Sequence, residues 1–449
     1  MKYLPYPRYK PSGVEWLGDV PEHWEVNRLK HVANMQAGKG VTSIIIDMEG
    51  KYPVYGGNGL RGYTSVFTHD GDSILIGRQG ALCGNINYAE GRFWASEHAV
   101  VVTPFNNNDV HWLGELLRSM DLNQYSLAAA QPGLAVDDIK ALRIACPPRE
   151  EQLIISDFLV SKTSQIDRLI TKKRELIERL KEKRTALISR TVTRGLPPEA
   201  ARAAGFDPDP PLKDSGVEWL GEFPGHWDIV KFSREIRIQE GQVDPTESEY
   251  SQMVLVAPNH IESGTGRLVA SESAADQAAE SGKYWCSAGS VIYSKIRPAL
   301  RKATVAPTDC LCSADMYPLN GAPRFSNEFL LWFILSSQYS AWSVLESDRV
   351  AMPKINRETL RELRLPAPPL KEQQAIASYL WRETAKLDHL IEVINDAVVG
   401  LKEYRIALIT AAVTGKIDVR GVRPAGNAPA DGASSPTDAE TLSTLSPPP

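Results

Sequence analysis

The chain has 449 residues, of which 43% are hydrophobic and 23% charged, with a formal net charge of −5. This length suffices for two or three domains, and the composition is that of an ordinary globular protein. No apolar run is long enough to cross a bilayer, and the first residues lack the apolar core of a secretory signal, so we expect a cytoplasmic protein. The five cysteines include no CxxC pair and predict neither structural zinc nor a disulfide framework.

Two segments of the sequence each occur twice in the chain. Residues 10–30 read KPSGVEWLGDVPEHWEVNRLK, and residues 213–233 read KDSGVEWLGEFPGHWDIVKFS. We call these segments the HW motifs, after His23-Trp24 and His226-Trp227. The second repeated segment begins with PPREEQLIISDFLV at 147 and PPLKEQQAIASYLW at 368, and it continues ungapped for about fifty residues. Such repeats indicate a tandem duplication in which each half has an HW motif, a variable stretch and a long helix.

The stretches between the repeats, residues 24–146 and 227–367, scarcely resemble each other. We call them the first and second variable modules. The offset between the copies grows from 203 to 221, so the second module has 18 additional residues. One framework with two different inserts is typical of a protein whose modules do the same work on different targets.

Short predicted strands separated by glycine turns indicate mixed α and β structure in both modules. In the first module, GKYPVYGGNGLRGYTSVF contains a glycine turn with Asn58, followed by Arg61. A predicted strand over 73–76 leads into Gly77-Arg78-Gln79-Gly80, whose glycines let backbone approach a ligand closely. Since Arg pairs with guanine and Asn or Gln with adenine in the major groove, this module's candidate DNA contacts are Asn58, Arg61, Arg78 and Gln79.

The same residues also allow a purely structural interpretation. Arg78 can instead pair with a carboxylate such as Glu97 and only shape its loop. His98 and His111 are interpreted as structural.

In the second module, a predicted strand over 290–294 leads into four positive charges within eight residues, namely Lys295, Arg297, Arg301 and Lys302. A basic loop at a strand end is suited to phosphates and base edges. Asn259 and His260, which follow the apolar strand MVLVA, are weaker candidates of the same kind. The alternative is a solvated charged hairpin.

The repeated helical segments predict a coiled coil. In the second copy, apolar residues keep a 3-4 spacing at Leu387, Leu390, Ile394, Ala397, Leu401, Tyr404 and Leu408. The equivalent positions of the first copy are Ile166, Leu169, Lys173, Leu176, Leu180, Lys183 and Leu187. Because each helix must bury its stripe, we expect the two to pair antiparallel as a spacer between the modules. Two separate packed helices with no wider role are the alternative.

Charge is uneven between the two predicted helices. From Lys162 to Arg194 there are eleven Lys and Arg against four Asp and Glu, whereas from Glu383 to Lys416 there are four against five. A basic face on the first helix can supply sequence-independent affinity for the DNA backbone. Lysines on a long exposed helix can also serve solubility alone.

Motifs for catalysis are missing from the sequence. There is no [N/D]-P-P-[F/Y] methyltransferase motif, no GxxxxGK[ST] loop and no recognisable Ser/His/Asp or Cys/His arrangement. The string at 413–416 lacks the first glycine and the hydroxyl of a phosphate-binding loop. We therefore expect no catalytic centre, no metal site and no cofactor in this chain.

The repeated motifs resemble those of a known protein family. SGVEWLG with the following P-x-HW, the Glu-Gln pairs Glu151-Gln152 and Glu372-Gln373 at the helix starts, and ALI…VT at the helix ends resemble the specificity subunits of type I restriction-modification systems. The stretch YPVYGGNGLRGY…ILIGRQGALCGN…FWASEHAVVV (52–102) also resembles a common type of their target-recognition domain. The resemblance covers residues 3 to about 420.

The resemblance implies an α+β fold with two mixed α/β target-recognition domains, separated by two long antiparallel helices and related by a pseudo-twofold axis. It divides the chain into a first recognition domain (1–146), a first long helix (147–194), a linker (195–216), a second recognition domain (217–367), a second long helix (368–418) and a tail (419–449). The tail has no periodicity and few bulky apolar residues, so we expect it to be disordered.

The function implied is noncatalytic reading of a bipartite, gapped double-stranded DNA site. The implied partners are two modification subunits, which bind S-adenosylmethionine and methylate adenine, and restriction subunits, which use ATP and Mg²⁺. Two other hypotheses remain open at this stage. One is a nuclease or methyltransferase with unrecognised motifs, and the other is an adaptor that joins two protein-binding modules and does not bind DNA.

Overall fold

The computed structural model describes residues 3–80, 82–126, 133–347 and 353–422. The chain forms two compact units, one made of Met1–Lys172 with Ala397–Pro449 and the other of Lys173–Asp396. Each unit contains one variable module and one end of each long helix. None of the described helices has the length and apolarity that crossing a lipid bilayer requires.

The elements of the first half of the chain are short strands followed by helices. The strands are β1 (Tyr9–Pro11), β2 (Asp19–Pro21), β3 (Glu25–Arg28), β4 (Ala33–Ala37), β5 (Tyr52–Gly56), β6 (Gly59–Thr64), β7 (His69–Asp70), β8 (Ser73–Gly77), β9 (Ile86–Ala89), β10 (Arg92–Ala95), β11 (Ala99–Pro104) and β12 (Arg143–Cys146). The helices are α1 (Val110–Ser119), α2 (Val136–Ala141) and α3 (Arg149–Arg194).

The second half begins with a short helix, α4 (Pro198–Ala204), inside the segment predicted as a linker. Its strands are β13 (Leu212–Asp214), β14 (Glu222–Pro224), β15 (Asp228–Lys231), β16 (Ile236–Ile238), β17 (Gln242–Val243), β18 (Leu255–Val256), β19 (Lys283–Cys286), β20 (Val291–Ser294), β21 (Ala303–Val305), β22 (Cys310–Cys312), β23 (Met316–Gly321) and β24 (Arg364–Ala367). Its remaining helices are α5 (Phe232–Glu235), α6 (Asn327–Ile334), α7 (Ser337–Ser347), α8 (Arg357–Glu362) and α9 (Leu370–Val413).

The two variable modules share the topology of one four-stranded sheet although their sequences do not match. The first has an antiparallel sheet in the order β4-β11-β8-β9, and the second has β16-β23-β20-β21. A second sheet in each contains one parallel pair, β5 with β10 and β18 with β22. The mixed α and β structure predicted for both modules is therefore confirmed.

The HW motifs meet the beginnings of the long helices. In the first unit the indole Nε1 of Trp24 donates to Glu151 over 3.1 Å, and His23 Nε2 lies 2.8 Å from the same carboxylate. In the second unit Trp227 and His226 contact Glu372 in the same way, at 3.0 and 2.9 Å. The two repeated segments of sequence are thus two sides of one contact.

The glutamine after each of these glutamates holds the module. Gln152 Oε1 accepts from the backbone N–H of Asp109, the capping residue of α1, at 2.9 Å. Gln373 Oε1 accepts from the N–H of Ser326, the capping residue of α6, at 2.7 Å. Each Glu-Gln pair, at the start of α3 or α9, therefore contacts both the HW motif and the beginning of a module helix, α1 or α6.

The long helices pair antiparallel, as predicted. In the first unit Arg405 of α9 lies 3.1 Å from Asp167 of α3, and in the second unit Arg184 of α3 lies 2.9 Å from Asp388 of α9. The two arginines and the two aspartates are each 221 residues apart, which is the repeat offset. One repeated ion pair is therefore formed once in each unit, with the roles of the helices exchanged.

The seam between the helices differs from the predicted register. Leu169, Leu176 and Leu390 are 49%, 45% and 44% exposed. Their neighbours Ile170 and Ile177 are buried, Ile391 is half-buried, and Arg184 takes the place predicted for Lys183. Of the other predicted positions, Leu180, Ile394 and Leu408 are buried, whereas Leu187 and Leu401 are half-buried. Two apolar stripes offset by one residue both satisfy a heptad pattern, so the sequence alone does not choose between them.

The beginning of the predicted tail belongs to the folded first unit. Residues 419–422, the beginning of the predicted tail, have described positions, and Val419 is fully buried in the core of the first unit. The rest of the predicted disordered tail, 423–449, lies outside the described residues.

The seam register predicts unequal effects of two adjacent substitutions. Ile177→Ala removes a side chain buried between α3 and α9, so we expect it to lower the free energy of unfolding by roughly 2–5 kcal/mol. Leu176→Ala removes an exposed side chain and should cost less than about 1 kcal/mol. Urea unfolding followed by far-UV circular dichroism measures both, and a larger loss for Leu176→Ala would contradict the observed seam.

Candidate nucleic-acid interface

Four loops of the first module meet at the ends of its strands. They are 56–59 after β5, 77–84 after β8, 96–98 between β10 and β11, and 133–134 before α2. The backbone N–H of Arg78 donates to the carbonyl of His98 at 2.9 Å, and that of Leu134 donates to the carbonyl of Arg78 at 3.0 Å. A Cβ atom on Gly77 would lie 2.3 Å from the carbonyl oxygen of Gly57, so the two loops touch only because Gly77 has no side chain.

These loops bring together three side chains that the sequence analysis had chosen separately, Asn58, Arg61 and Gln79, and place His98 beside them. Asn58, Arg61, Gln79 and His98 line one open cavity of about 470 Å³. Gln79 Oε1 lies 2.9 Å from His98 Nδ1, and Asn58 Oδ1 accepts from Asn85 at 3.1 Å. The cluster therefore presents two amides and a guanidinium, groups that suit base edges in a groove.

The alternative pairing considered for Arg78 is absent. Among the described residues, Glu97 instead accepts from the N–H of Val41 at 3.2 Å and lies 3.4 Å from His98 Nε2. His98, which we interpreted as structural, belongs to the cavity through its contact with Gln79. The flanking sequence carries no signal for this, because Gln79 and His98 meet only when two loops from different strands come together.

Four loops of the second module converge in the same topological places. They are 257–260 after β18, 295–302 after β20, 313–315 between β22 and β23, and 353–355 before α8. The N–H of Lys295 donates to the carbonyl of Asp315 at 3.0 Å, and the N–H of Arg297 donates to that of Pro353 at 2.9 Å. The Nζ of Lys302 donates to the carbonyl of Pro258 at 2.6 Å.

The side chains of this second cluster are mainly cationic. Arg297, which has a left-handed backbone (φ 48°), and Asn259 are exposed, whereas Lys295 is half-buried. The Nζ of Lys295 donates to the carbonyl of Ala314 at 2.7 Å and lies 5.3 Å from the ring of Tyr317. The exposed Lys354, which the sequence analysis missed, joins the cluster because Ile296 forms a β-bridge with it.

Two predicted candidates lie elsewhere. His260 is 4% exposed, and its Nδ1 lies 3.1 Å from the carbonyl of Leu255, so its ring is part of the interior. Arg301 turns away from the cluster and donates to the carbonyl of Leu335 at 3.4 Å. Burial, followed by the nearby positive charge of Arg184, lowers the pKa of Arg301. His260 is therefore not a surface contact, whereas Arg301, which is only partly buried, stays a prediction.

Elsewhere the described residues offer no catalytic arrangement. Within the described ranges, no group of three His, Cys, Asp or Glu side chains is placed to hold a metal ion. Burial raises the pKa of the Cys146 thiol to about 12, so it stays protonated near neutral pH. His111 is exposed and lies against Tyr88, with ring centroids 4.9 Å apart.

Comparisons with known proteins give the same picture. Residues 21–179 and 259–398 match the family described as type I restriction modification DNA specificity domain. The EcoDI specificity subunit of Escherichia coli is 26% identical over 410 residues, which cover 89% of this chain and 90% of that protein. The EcoprrI specificity subunit of Escherichia coli is 43% identical over 135 residues, which cover 29% of this chain and 34% of that protein.

A more distant relative and a solved structure extend the comparison. The MjaVIII specificity subunit of Methanocaldococcus jannaschii is 23% identical over 432 residues, which cover 90% of this chain and 95% of that protein. A chain from a structure of a type I restriction-modification system has a TM-score of 0.61 at 17% identity, covering 89% of this chain and all but 1% of that one, and so shares the fold.

The family match spans both halves of the chain, so the resemblance drawn from the repeated motifs is confirmed. It also confirms the interpretation as a DNA specificity subunit over the enzyme and adaptor hypotheses. This chain belongs to the family of type I restriction-modification DNA specificity proteins.

Proposed function

We propose that this chain reads a bipartite DNA site, with one loop cluster for each half and an unspecified gap between them. The observation that carries the proposal is that two modules of unlike sequence gather the same four loops at the same strand ends, on one repeated framework. Loops at strand ends can change in sequence without altering the scaffold that positions them.

Different chemistry is proposed for the two halves. In the first module Asn58 and Gln79 contact adenine edges, while Arg61 and Arg78 contact guanine or phosphate. In the second module the contacts are the cations Lys295, Arg297 and Lys302, with Asn259 beside them, and phosphate contacts have the larger share. Exposed cations along α3, such as Arg174 and Arg179, add affinity that does not depend on sequence.

The partners proposed are those of a type I restriction-modification complex, acting on double-stranded DNA in the cytoplasm. Two modification subunits bring S-adenosylmethionine and methylate adenine, and restriction subunits bring ATP and Mg²⁺. Large apolar side chains that stay exposed on the long helices offer a surface for such partners. They include Leu169, Leu176, Leu390, Val393, Val399 and Ile406.

The direct test is methylation mapping by single-molecule sequencing of DNA from cells that express this chain with its modification subunit. A gapped, bipartite adenine-methylated motif that disappears when this chain is deleted supports the proposal and reveals the target. Methylation that persists without the chain overturns it and favours the adaptor hypothesis.

Substitutions in the two clusters should affect different halves of the motif. Gln79→Ala should relax one base position of one half-site, and Arg297→Ala should weaken contacts to the other half-site. Each lost bidentate base contact costs about 1–3 kcal/mol of discrimination. Competition binding with DNA in which each half-site is scrambled in turn measures both effects.

Arg202→Ala is a matched control, since it removes an exposed cation on α4, outside both loop clusters. It should leave both half-sites unchanged. If Gln79→Ala and Arg297→Ala altered the same half-site, the assignment of one module to each half would be wrong.

The long helices are proposed to set the gap. Four residues inserted into one of them add roughly 6 Å of helix. Because base pairs rise about 3.4 Å each, the preferred gap should lengthen by one or two base pairs. Methylation mapping of the insertion variant measures the gap, and an unchanged gap would contradict this role.

A further inference from the structure

A loop of the second module lies against the long helices. Residues 261–268, which we call the bracket loop, form a narrow turn in which Ile261 bridges to Leu268. The N–H of Glu262 donates to the carbonyl of Arg267 at 3.0 Å. A Cβ atom on Gly266 would lie 3.3 Å from Leu335, so the turn packs closely against the module's own helices.

One buried side chain of α3 holds this loop. Arg184 is 5% exposed and donates from one nitrogen to the carbonyl of Gly264 at 2.6 Å and from another to that of Thr265 at 2.9 Å. Its Nε donates to Asp388 of α9 at 2.9 Å. A single guanidinium therefore joins both long helices to the bracket loop, through hydrogen bonds strengthened by its charge.

The loop is also tied to the body of its module and to α9. Thr304 of β21 donates to the carbonyl of Gly266 at 2.8 Å, and the N–H of Gly264 donates to the carbonyl of Arg301 at 3.0 Å. Arg267 donates to Glu392 of α9 at 2.9 Å. The loop is therefore hydrogen-bonded both to its own module and to the long helices.

The first unit has the equivalent ion pair, Arg405 with Asp167. Arg405 is the equivalent of Arg184 in the second repeat. Within the described residues its side chain is hydrogen-bonded to Asp167 alone. Its side chain is 29% exposed, against 7% for Arg184. The equivalent Arg and Asp pairs in the two sequence repeats therefore differ in their contacts, since among the described residues Arg184 alone of the two arginines bonds to a variable module.

We propose that Arg184 is a positioning residue that fixes the orientation of the second module on the helix pair, and that this contact restricts the second half-site to one gap length. The consequence for the gap rests on the proposed function above. The bracket loop supplies the acceptors of this contact, the carbonyls of Gly264 and Thr265, and both face the guanidinium of Arg184. Releasing the contact leaves the loop cluster of the module intact but lets the module rotate on the helices.

The contact itself is tested by hydrogen–deuterium exchange on the full chain. Arg184→Met keeps an unbranched side chain but removes every donor, and it should raise exchange at the amides of Glu262 and Gly264 by about tenfold or more. Arg405→Met is the matched control and should leave those amides unchanged. Equal exchange in the two variants overturns the proposal.

The effect on function is tested by measuring the affinity of the full chain for a series of DNA duplexes. The half-site sequences stay the same, and the gap between them changes by one base pair at a time. Arg184→Met should reduce the preference for the natural gap over its neighbours by about tenfold, with unchanged half-site sequences. Loss of preference for half-site sequence would instead show general damage, and an unchanged gap profile despite raised exchange would also overturn the proposal.

Arg267→Gln keeps the proposal testable if Arg184→Met fails to fold. It removes an exposed partner of Glu392 and should shift exchange and gap preference in the same direction by a smaller amount. If the wild-type chain bound no gapped site at all, the proposed function would fail, while the exchange comparison would still decide whether Arg184 holds the bracket loop.

Discussion

The architecture depends on a buried carboxylate at the start of each long helix. Glu151 and Glu372 each accept the indole N–H of a fully buried tryptophan and contact a histidine. A buried carboxylate is costly unless it is hydrogen-bonded, and the positive end of the helix dipole adds further stabilisation. Removing either side would leave the other unsatisfied, so the HW motif and the helix start persist together. This mutual need explains why two segments so far apart in sequence are the ones that appear twice.

On this framework the modules keep a topology while exchanging their side chains. The antiparallel four-stranded sheet has the same strand order in both, yet one loop cluster is built on glycine turns with amides and the other on lysine and arginine. The close approach of Gly57 and Gly77 illustrates the reason, since backbone hydrogen bonds and turn geometry define the scaffold while exposed side chains remain free to differ. A reader of two unlike half-sites needs that separation between scaffold and contact.

The repeat is not a perfect symmetry. Arg184 and Arg405 stand at equivalent positions and each pairs with an aspartate, but within the described part of the chain Arg184 alone of the two is buried and bonded to a module loop, that of the second module. Gene duplication supplies two equal ion pairs, and a loop in the second module makes use of one of them. The two halves thus share the HW motif, the long helix and the ion pair, but they differ in the hydrogen bonds between the arginine and a module loop.

The sequence by itself determined the duplication, the two long helices to within two residues at their starts and five at their ends, their antiparallel pairing and the family. These follow from repeated motifs and helical periodicity, which are local properties of the chain. Only the tertiary structure decided which apolar stripe forms the seam, because Leu176 and Ile177 both fit the heptad and their burial depends on the partner helix. It also decided that His260 turns inward and that His98 and Lys354 join the clusters. A side chain's surroundings come from residues far away in sequence, and a strand-end position alone does not reveal which way it points.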